Sequence, residues 1–299
     1  MERAGYEIRG EERSYRPKIN DPEILLKILR PQEIPLLVAE GAYDLGITGL
    51  DWVLETNADV EVLAYLGYGR VRLVFAVPKW WGISSLDELI RDYYRSGRTL
   101  RVATEYLNLA SKYLQESPEY RRCFGSEPPT LVTPWWGRRG NPRVRVFLSF
   151  GATEAKPPED ADVIFDNSST GISLYQNNLK VIASTLHSEA VLIACKKSLR
   201  DPDKREKILD VKTLLQGVVE AQAKLHVFLN VKEENLPKLL ELLPALKAPT
   251  VAPLSAKGWY SVNTVVDKGE FFRLIAAIRR LAQGLVVYEP KQVLLLGGE

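Results

Sequence analysis

Histidine and cysteine are nearly missing from this chain: His187 and His226, Cys123 and Cys195 are all that 299 residues contain. The two cysteines lie far apart, with no spacing that suits a metal. They exclude a disulfide framework and read as reduced thiols of a cytoplasmic protein. With two histidines, a His-based metal cage or a His-driven catalytic triad has little to build on. No apolar run approaches the length of a membrane span. The start, Met1-Glu2-Arg3-Ala4-Gly5-Tyr6, lacks the apolar core of a secretory signal. Neither sign of charge dominates, with Lys+Arg at 40 and Asp+Glu at 38, so the basic footprint of a nucleic-acid binder is absent. There is no internal repeat and no low-complexity segment.

What remains is ordinary for a folded domain protein: 45% apolar and 26% charged residues. The length suits two or three compact units. In the first half strand and helix signals alternate, which predicts an α/β layer structure. Strands are expected at 24–29, 44–49, 72–77, 100–104, 144–148, 162–165, 180–183 and 190–194. Helices are expected to open near Glu33, Asp51 and Ser85, to run through 109–114, and to follow 175. Ser85 and Glu88 have the spacing of a capping box. The stretch 125–143, rich in Pro, Gly and Arg and holding Trp135-Trp136, reads as a surface excursion. A helix over 207–221 leads into a different pattern: strand 223–231, helix 233–243, strand 258–266, helix 270–283, strand 285–288. That order approaches the ferredoxin-like arrangement.

The most informative stretch is Asp166-Asn167-Ser168-Ser169-Thr170-Gly171-Ile172-Ser173-Leu174, which follows the apolar run Val163-Ile164-Phe165. Small hydroxyl residues and a glycine let backbone N–H groups converge on an anion, and a following helix start adds a favourable dipole. The acidic residue stands where sugar hydroxyls would lie. The same letters also describe a plain strand-to-helix turn with a Ser or Thr cap. Arg70 and Arg72 read either as anion contacts or as the solvated face of a strand.

Several segments in order resemble the long form of the ATP phosphoribosyltransferase family. They are Arg30-Pro31-Gln32-Glu33-Ile34-Pro35, Asp44-Leu45-Gly46-Ile47-Thr48-Gly49-Leu50-Asp51, Gly69-Arg70-Val71-Arg72-Leu73 and Ala103-Thr104-Glu105-Tyr106. Gly151-Ala152-Thr153-Glu154, the 166–174 loop and Pro249-Thr250-Val251-Ala252-Pro253-Leu254 complete the set. The resemblance implies a two-lobed catalytic part of the periplasmic-binding-protein type II and a C-terminal ferredoxin-like, ACT-like regulatory domain. Lobe I is expected at 1–96 and 179–208, lobe II at 97–178 and the regulatory domain at 209–299. The implied reaction joins N1 of ATP to C1 of phosphoribosyl pyrophosphate, with Mg²⁺ as cofactor, histidine as feedback inhibitor, and a dimer or hexamer as the assembly.

By the same resemblance Ser168, Ser169, Thr170, Gly171, Ile172, Ser173 and Leu174 hold phosphoribosyl pyrophosphate, and Asp166 and Glu154 act at its sugar. Arg30, Thr48, Gly49 and Asp51 take the ATP side, and Thr250 and Leu254 line a histidine pocket. No metal ligand is assigned to the protein itself. An inactive regulatory relative, or a small-anion binder of the same fold, is the alternative. Family members begin with a strand, a Pro-Lys-Gly turn and a helix, whereas Met1–Tyr6 matches only the end of that helix. A misplaced start site or a truncation is therefore expected. Lobe I is then expected to show an open slot between 24–29 and 44–48, because a missing central strand leaves backbone groups unpaired.

Overall fold

The computed structural model describes residues 1–11, 14–246 and 248–296. They form two compact units, one of Arg30–Asp201 and one of Met1–Leu29 with Pro202–Glu299. No helix among the described residues is long and apolar enough to cross a membrane.

The Arg30–Asp201 unit holds two sheets. Its smaller sheet begins after helix α1 (Ile34–Ala39), which places Pro35 in its first turn where the missing N–H costs nothing. Strand β1 (Leu45–Gly49) runs into helix α2 (Leu50–Thr56), and β2 (Val60–Tyr65) follows. The chain returns much later as the fully buried β10 (Ala190–Cys195), which pairs antiparallel with both, in the order β1-β10-β2. The second edge of β1 has no ladder partner among the described residues.

The larger sheet begins with β3 (Val71–Pro78), followed by helix α3 (Leu86–Ser96), β4 (Leu100–Thr104), and helices α4 (Leu107–Glu116) and α5 (Pro118–Phe124). Then come β5 (Pro129–Val132), β6 (Gly137–Arg138), β7 (Asn141–Leu148), β8 (Val163–Ser168), the short helix α6 (Ile172–Gln176) and β9 (Leu179–Ser188). The strand order is β9-β3-β8-β4-β7-β5-β6. β8, β4, β7 and β5 run parallel, so their carboxyl ends share one edge. One face packs Leu73, Phe75, Val102 and Phe165 against α3 and α4; the Phe75 and Phe165 rings lie tilted at 42° with centroids 4.6 Å apart. The other face buries Val74, Ala76, Ile164 and Leu174. Ser85 caps α3 by accepting from the Glu88 N–H, while Glu88 returns its carboxylate to the Ser84 N–H.

In the second unit, α7 (Pro202–Gln222) leads into β11 (Lys224–Lys232), α8 (Leu236–Leu242), β12 (Thr250–Pro253), β13 (Trp259–Asp267), α9 (Lys268–Leu281) and β14 (Ala282–Tyr288). The sheet order β12-β13-β11-β14, antiparallel throughout, is ferredoxin-like, with Leu229, Val231, Val262, Leu239 and Ile278 as its core.

Two expectations are corrected. Residues 24–29 form no strand: Leu25 is 96% exposed and the segment has no ladder, so its apolar run has no sheet to join. The 125–143 stretch is not only a surface excursion. Its Pro129–Val132 segment is a sheet strand with Leu131 fully buried, while the tip carrying Trp135 and Trp136 is exposed.

Candidate active site

The parallel strands deliver three loops to one edge. After β4 come Glu105 and Tyr106, after β7 comes 149–155, and after β8 comes 169–171. This edge, outside the carboxyl ends of parallel strands, is where open α/β sheets bind ligands.

The β8 loop has the form of an anion cradle. Gly171 takes φ 77°, a conformation that a side chain disfavours, and leads straight into α6. The Thr170 hydroxyl accepts from the Ile172 N–H at 3.5 Å. Ser169, Thr170, Ile172 and Ser173 are exposed, whereas Leu174 is buried under the loop and Ser168 is buried at the strand end. Leu174 thus anchors the turn and offers a ligand only its backbone.

Asp166 lies two residues before Ser168, half-buried, and accepts from the Asn167 N–H at 2.7 Å. Burial pushes its carboxyl up to about 6, against the pull of the Asn167 N–H and the Thr153 hydroxyl, while Glu154 and Glu105 push the same way as burial. The structure therefore brings Asp166 and Glu154 within electrostatic reach. The β7 loop that carries Glu154 is tightly held. Glu105 accepts from the Gly151 N–H at 2.9 Å and from the Gln32 amide at 3.3 Å, and Ala152 sits in the left-handed region at φ 47°. A non-glycine residue there costs on the order of 1 kcal/mol, stored beside the site.

The ATP-side candidates are placed differently from one another. Arg30 is exposed, and the Thr48 hydroxyl is spent on the Pro31 carbonyl at 2.8 Å. Gly49 opens α2, and a Cβ there would meet Asp51 Oδ1 at 2.1 Å. Asp51 is buried with both oxygens engaged: Oδ1 accepts from the Ser188 hydroxyl at 2.7 Å and Oδ2 from the Tyr106 hydroxyl at 2.6 Å. Tyr106 accepts in turn from the Asn167 amide at 2.9 Å and stacks on Trp52 at 4.3 Å. Burial and the Asp51 charge hold the Tyr106 phenol far above its ordinary range, so it stays a donor. Asp51 thus ties α2 to the loop after β4, with each oxygen already holding one hydroxyl donor. Four residues later Glu55 accepts from the Asn108 and Leu109 N–H groups, each at 2.9 Å, closing the open amino end of α4.

Sequence reasoning passed over Gln32, Glu105, Tyr106 and Ser188 as site residues. Their signal was only their place beside the recognised segments; the contacts span 46 to 137 residues. A cavity of about 400 Å³ opens beside Ser168 and Ser169, with Arg70, Arg72 and His187 in its wall. In the second unit Thr250 lies exposed on the edge strand β12, and the Leu254 N–H donates to the Trp259 carbonyl at 2.9 Å just past that strand's end.

Comparison with known proteins identifies the family. The profile of the ATP phosphoribosyltransferase family matches residues 30–217, and that of its C-terminal domain matches residues 221–291. An ATP phosphoribosyltransferase of Pelotomaculum thermopropionicum is 36% identical over 295 residues, 97% of this chain and 91% of that protein. One from Solibacter usitatus is 36% identical over 299 residues, covering 98% and 93%. A solved ATP phosphoribosyltransferase complex (HisG:HisZ) from Thermotoga maritima superposes with a TM-score of 0.54 at 23% identity, over 73% of this chain and 90% of that one, which speaks to fold. The chain thus shares the fold of that solved chain and carries the family's C-terminal domain. The match runs over nearly the whole length of chains that carry both parts, and this chain belongs to the long form of the ATP phosphoribosyltransferase family, enzymes of the phosphoribosyltransferase type.

Proposed function

We propose that the edge of the larger sheet binds phosphoribosyl pyrophosphate and joins its C1 to N1 of ATP, the first step of histidine biosynthesis. The observation that carries this reading is the exposed turn 169–173, entered through left-handed Gly171, directly after a strand that ends in half-buried Asp166. The 5′-phosphate sits on the N–H groups and hydroxyls of Ser169 to Ser173. Ionised Asp166 accepts from the ribose hydroxyls, and Glu154 faces the sugar beside it. The adenine N1 lone pair forms the new bond to C1. The C1–O electron pair leaves with pyrophosphate, and the adduct sheds its positive charge as a proton from the exocyclic nitrogen. No protein nucleophile enters, so the protein's share is alignment and fixed charge, worth several kcal/mol each.

The residues fit Mg²⁺ as a substrate-borne ion. No three His, Cys, Asp or Glu side chains group into a metal site among the described residues. Asp166 and Glu154 offer the one or two carboxylates that suit an ion arriving on phosphate oxygens with its waters. When bound, Mg²⁺ supplies positive charge to the departing pyrophosphate.

We assign the smaller sheet, 45–65 and 190–195, to lobe I and the larger sheet, 71–188, to lobe II, because bounds at 97 and 178 would cut β3 from β8 within one ladder, and 209–299 to a histidine-binding regulatory domain. The enzyme works in the cytoplasm as a dimer or hexamer. Asp51 is a positioning residue in this reading, and Arg30 and Gly49 remain on the ATP side.

The test is adduct formation and pyrophosphate release by the full chain with ATP, phosphoribosyl pyrophosphate and Mg²⁺. Thr170→Trp is expected to raise the KM for phosphoribosyl pyrophosphate at least tenfold and leave that for ATP within twofold. Unchanged kinetics would refute the cradle.

A further inference from the structure

Three residues on three neighbouring strands stand in one row. On β8 Ser168 is paired with Arg72 of β3, and on β9 His187 is paired with the same Arg72. Residues opposite each other across a ladder share a face, so the three side chains project together. Asp166 is paired with Val74, two residues from Arg72, and falls on that same face. The row therefore lies one side-chain step, about 7 Å along the strand, from the carboxylate assigned to the ribose.

All three row residues line the cavity of about 400 Å³, within the size range of small-molecule sites. Its charges are unequally committed. Arg70 pairs with Glu189 at 3.0 Å, which takes up the cavity's acidic residue. The side chains of Arg72 and His187 have no hydrogen bond or ion pair among the described residues. An arginine fork with its donors free, a histidine and two serine hydroxyls in one concavity make a donor-rich, acceptor-poor wall. Such a wall is complementary to oxygens that carry negative charge, and the planar guanidinium suits phosphate in particular. A solvated strand end would also leave Arg72 unpaired. It would give no reason for a histidine and a buried serine to share its row inside a cavity.

We propose that this cavity is the seat of a polyphosphate group, with Arg72 and His187 as its contacts and Ser168 as a hydroxyl donor. The proposal rests on the phosphoribosyltransferase reading for its substrates. A linked phosphate chain comes either from the triphosphate of ATP or from the pyrophosphate of the second substrate. The cavity adjoins the turn 169–173 that takes the single 5′-phosphate, and the two phosphate seats meet at Ser169.

Direct binding and kinetics on the full chain test it together, with Arg72→Gln, Arg72→Lys, His187→Gln and the cradle variant Thr170→Trp. Inorganic tripolyphosphate and pyrophosphate are the binding probes, with Mg²⁺ present, by calorimetry. Arg72→Gln and His187→Gln are expected to weaken binding of at least one probe about tenfold, and Arg72→Lys by less, since it keeps the charge and loses the fork. A seat for ATP shows as a tenfold rise in the KM for ATP with that for phosphoribosyl pyrophosphate within twofold. A seat for the leaving group shows as a rise in the KM for phosphoribosyl pyrophosphate and in the inhibition constant of pyrophosphate, with ATP unaffected. Probe affinities and both KM values within twofold of wild type in Arg72→Gln and His187→Gln would overturn the proposal while leaving the enzyme reading intact. If the wild-type chain makes no adduct, the enzyme reading fails and the calorimetry alone decides the seat.

Discussion

If Asp166 holds the ribose hydroxyls as proposed, its surroundings set the working pH. Its carboxyl is raised to about 6 because burial disfavours the charge and Glu154 and Glu105 stand nearby. The ionised form accepts hydroxyls with both oxygens; the protonated form gives up one acceptor and the charge. Above pH 6 the site is ready, and kcat/KM for phosphoribosyl pyrophosphate should fall towards tenfold per unit as the pH drops below 6. Asp166→Asn should be uniformly slow and flatter over the same range, which separates the residue's titration from that of the substrate phosphates. Equal slopes in both proteins would reject the assignment. Gly49 makes a second residue-scale prediction. A methyl there meets the Asp51 carboxylate at 2.1 Å, and that carboxylate is held by Ser188 and Tyr106. Gly49→Ala should therefore cost on the order of 1–3 kcal/mol, read as a lowered urea midpoint. The turn after β8 was legible in the sequence because all its requirements are local: small residues, a glycine and a preceding strand. The commitment of Asp51 was not, because Ser188 lies 137 residues away and only the fold brings it near.

At the scale of elements, the junction of α2 with α4 depends on Glu55. Its carboxylate sits on the amino end of α4, yet burial outweighs the N–H donors and raises it from an ordinary 4.5 to about 7. The folded chain then binds this proton more tightly than the unfolded one. Between those two values the folded state carries more proton, so stability falls as pH rises from about 4.5 to 7, by on the order of 3 kcal/mol in all. Glu55→Gln keeps the shape and removes the titration. The difference in urea midpoint between pH 5 and pH 8 should shrink in the variant, and an unchanged difference would mean that Glu55 does not titrate in this range. The elements that sequence reading found, such as the Ser85-capped α3 and the buried β10, announce themselves through caps or continuous apolar runs. Those it missed announce themselves poorly. Strand β5 is four residues inside a Pro- and Gly-rich stretch, and α5 follows α4 with Pro118 at its start, so the two read as one helix and its exit. Residues 24–29 show the converse: a good apolar pattern forms a strand only where a neighbour supplies the ladder.

At the scale of the whole molecule, the C-terminal sheet was readable because its β-α-β-β-α-β order fills one layer of helices on one layer of strands. What a ligand would gain there depends on an edge. β12 is a short edge strand with all four residues exposed, and Thr250 opposes Asn263 across its one ladder. A free amino acid brings an ammonium, a carboxylate and its own side chain. An exposed strand end with hydroxyl and backbone groups unspent can engage these. If histidine binds there and inhibits, the effect is a coupling free energy between two sites, on the order of 1–3 kcal/mol, and it must act in both directions. Thr250→Trp, far in sequence from the catalytic loops, should raise the inhibitory histidine concentration at least tenfold while both substrate KM values stay within twofold. In the wild type, calorimetric titration with histidine in the presence and absence of phosphoribosyl pyrophosphate should give affinities that differ by the same factor as the substrate affinities measured with and without histidine. Inhibition that survives in Thr250→Trp would remove the edge strand from the sensing role. Mutual weakening that keeps growing as either ligand is raised, instead of levelling off at a fixed factor, would place histidine in direct competition with phosphoribosyl pyrophosphate.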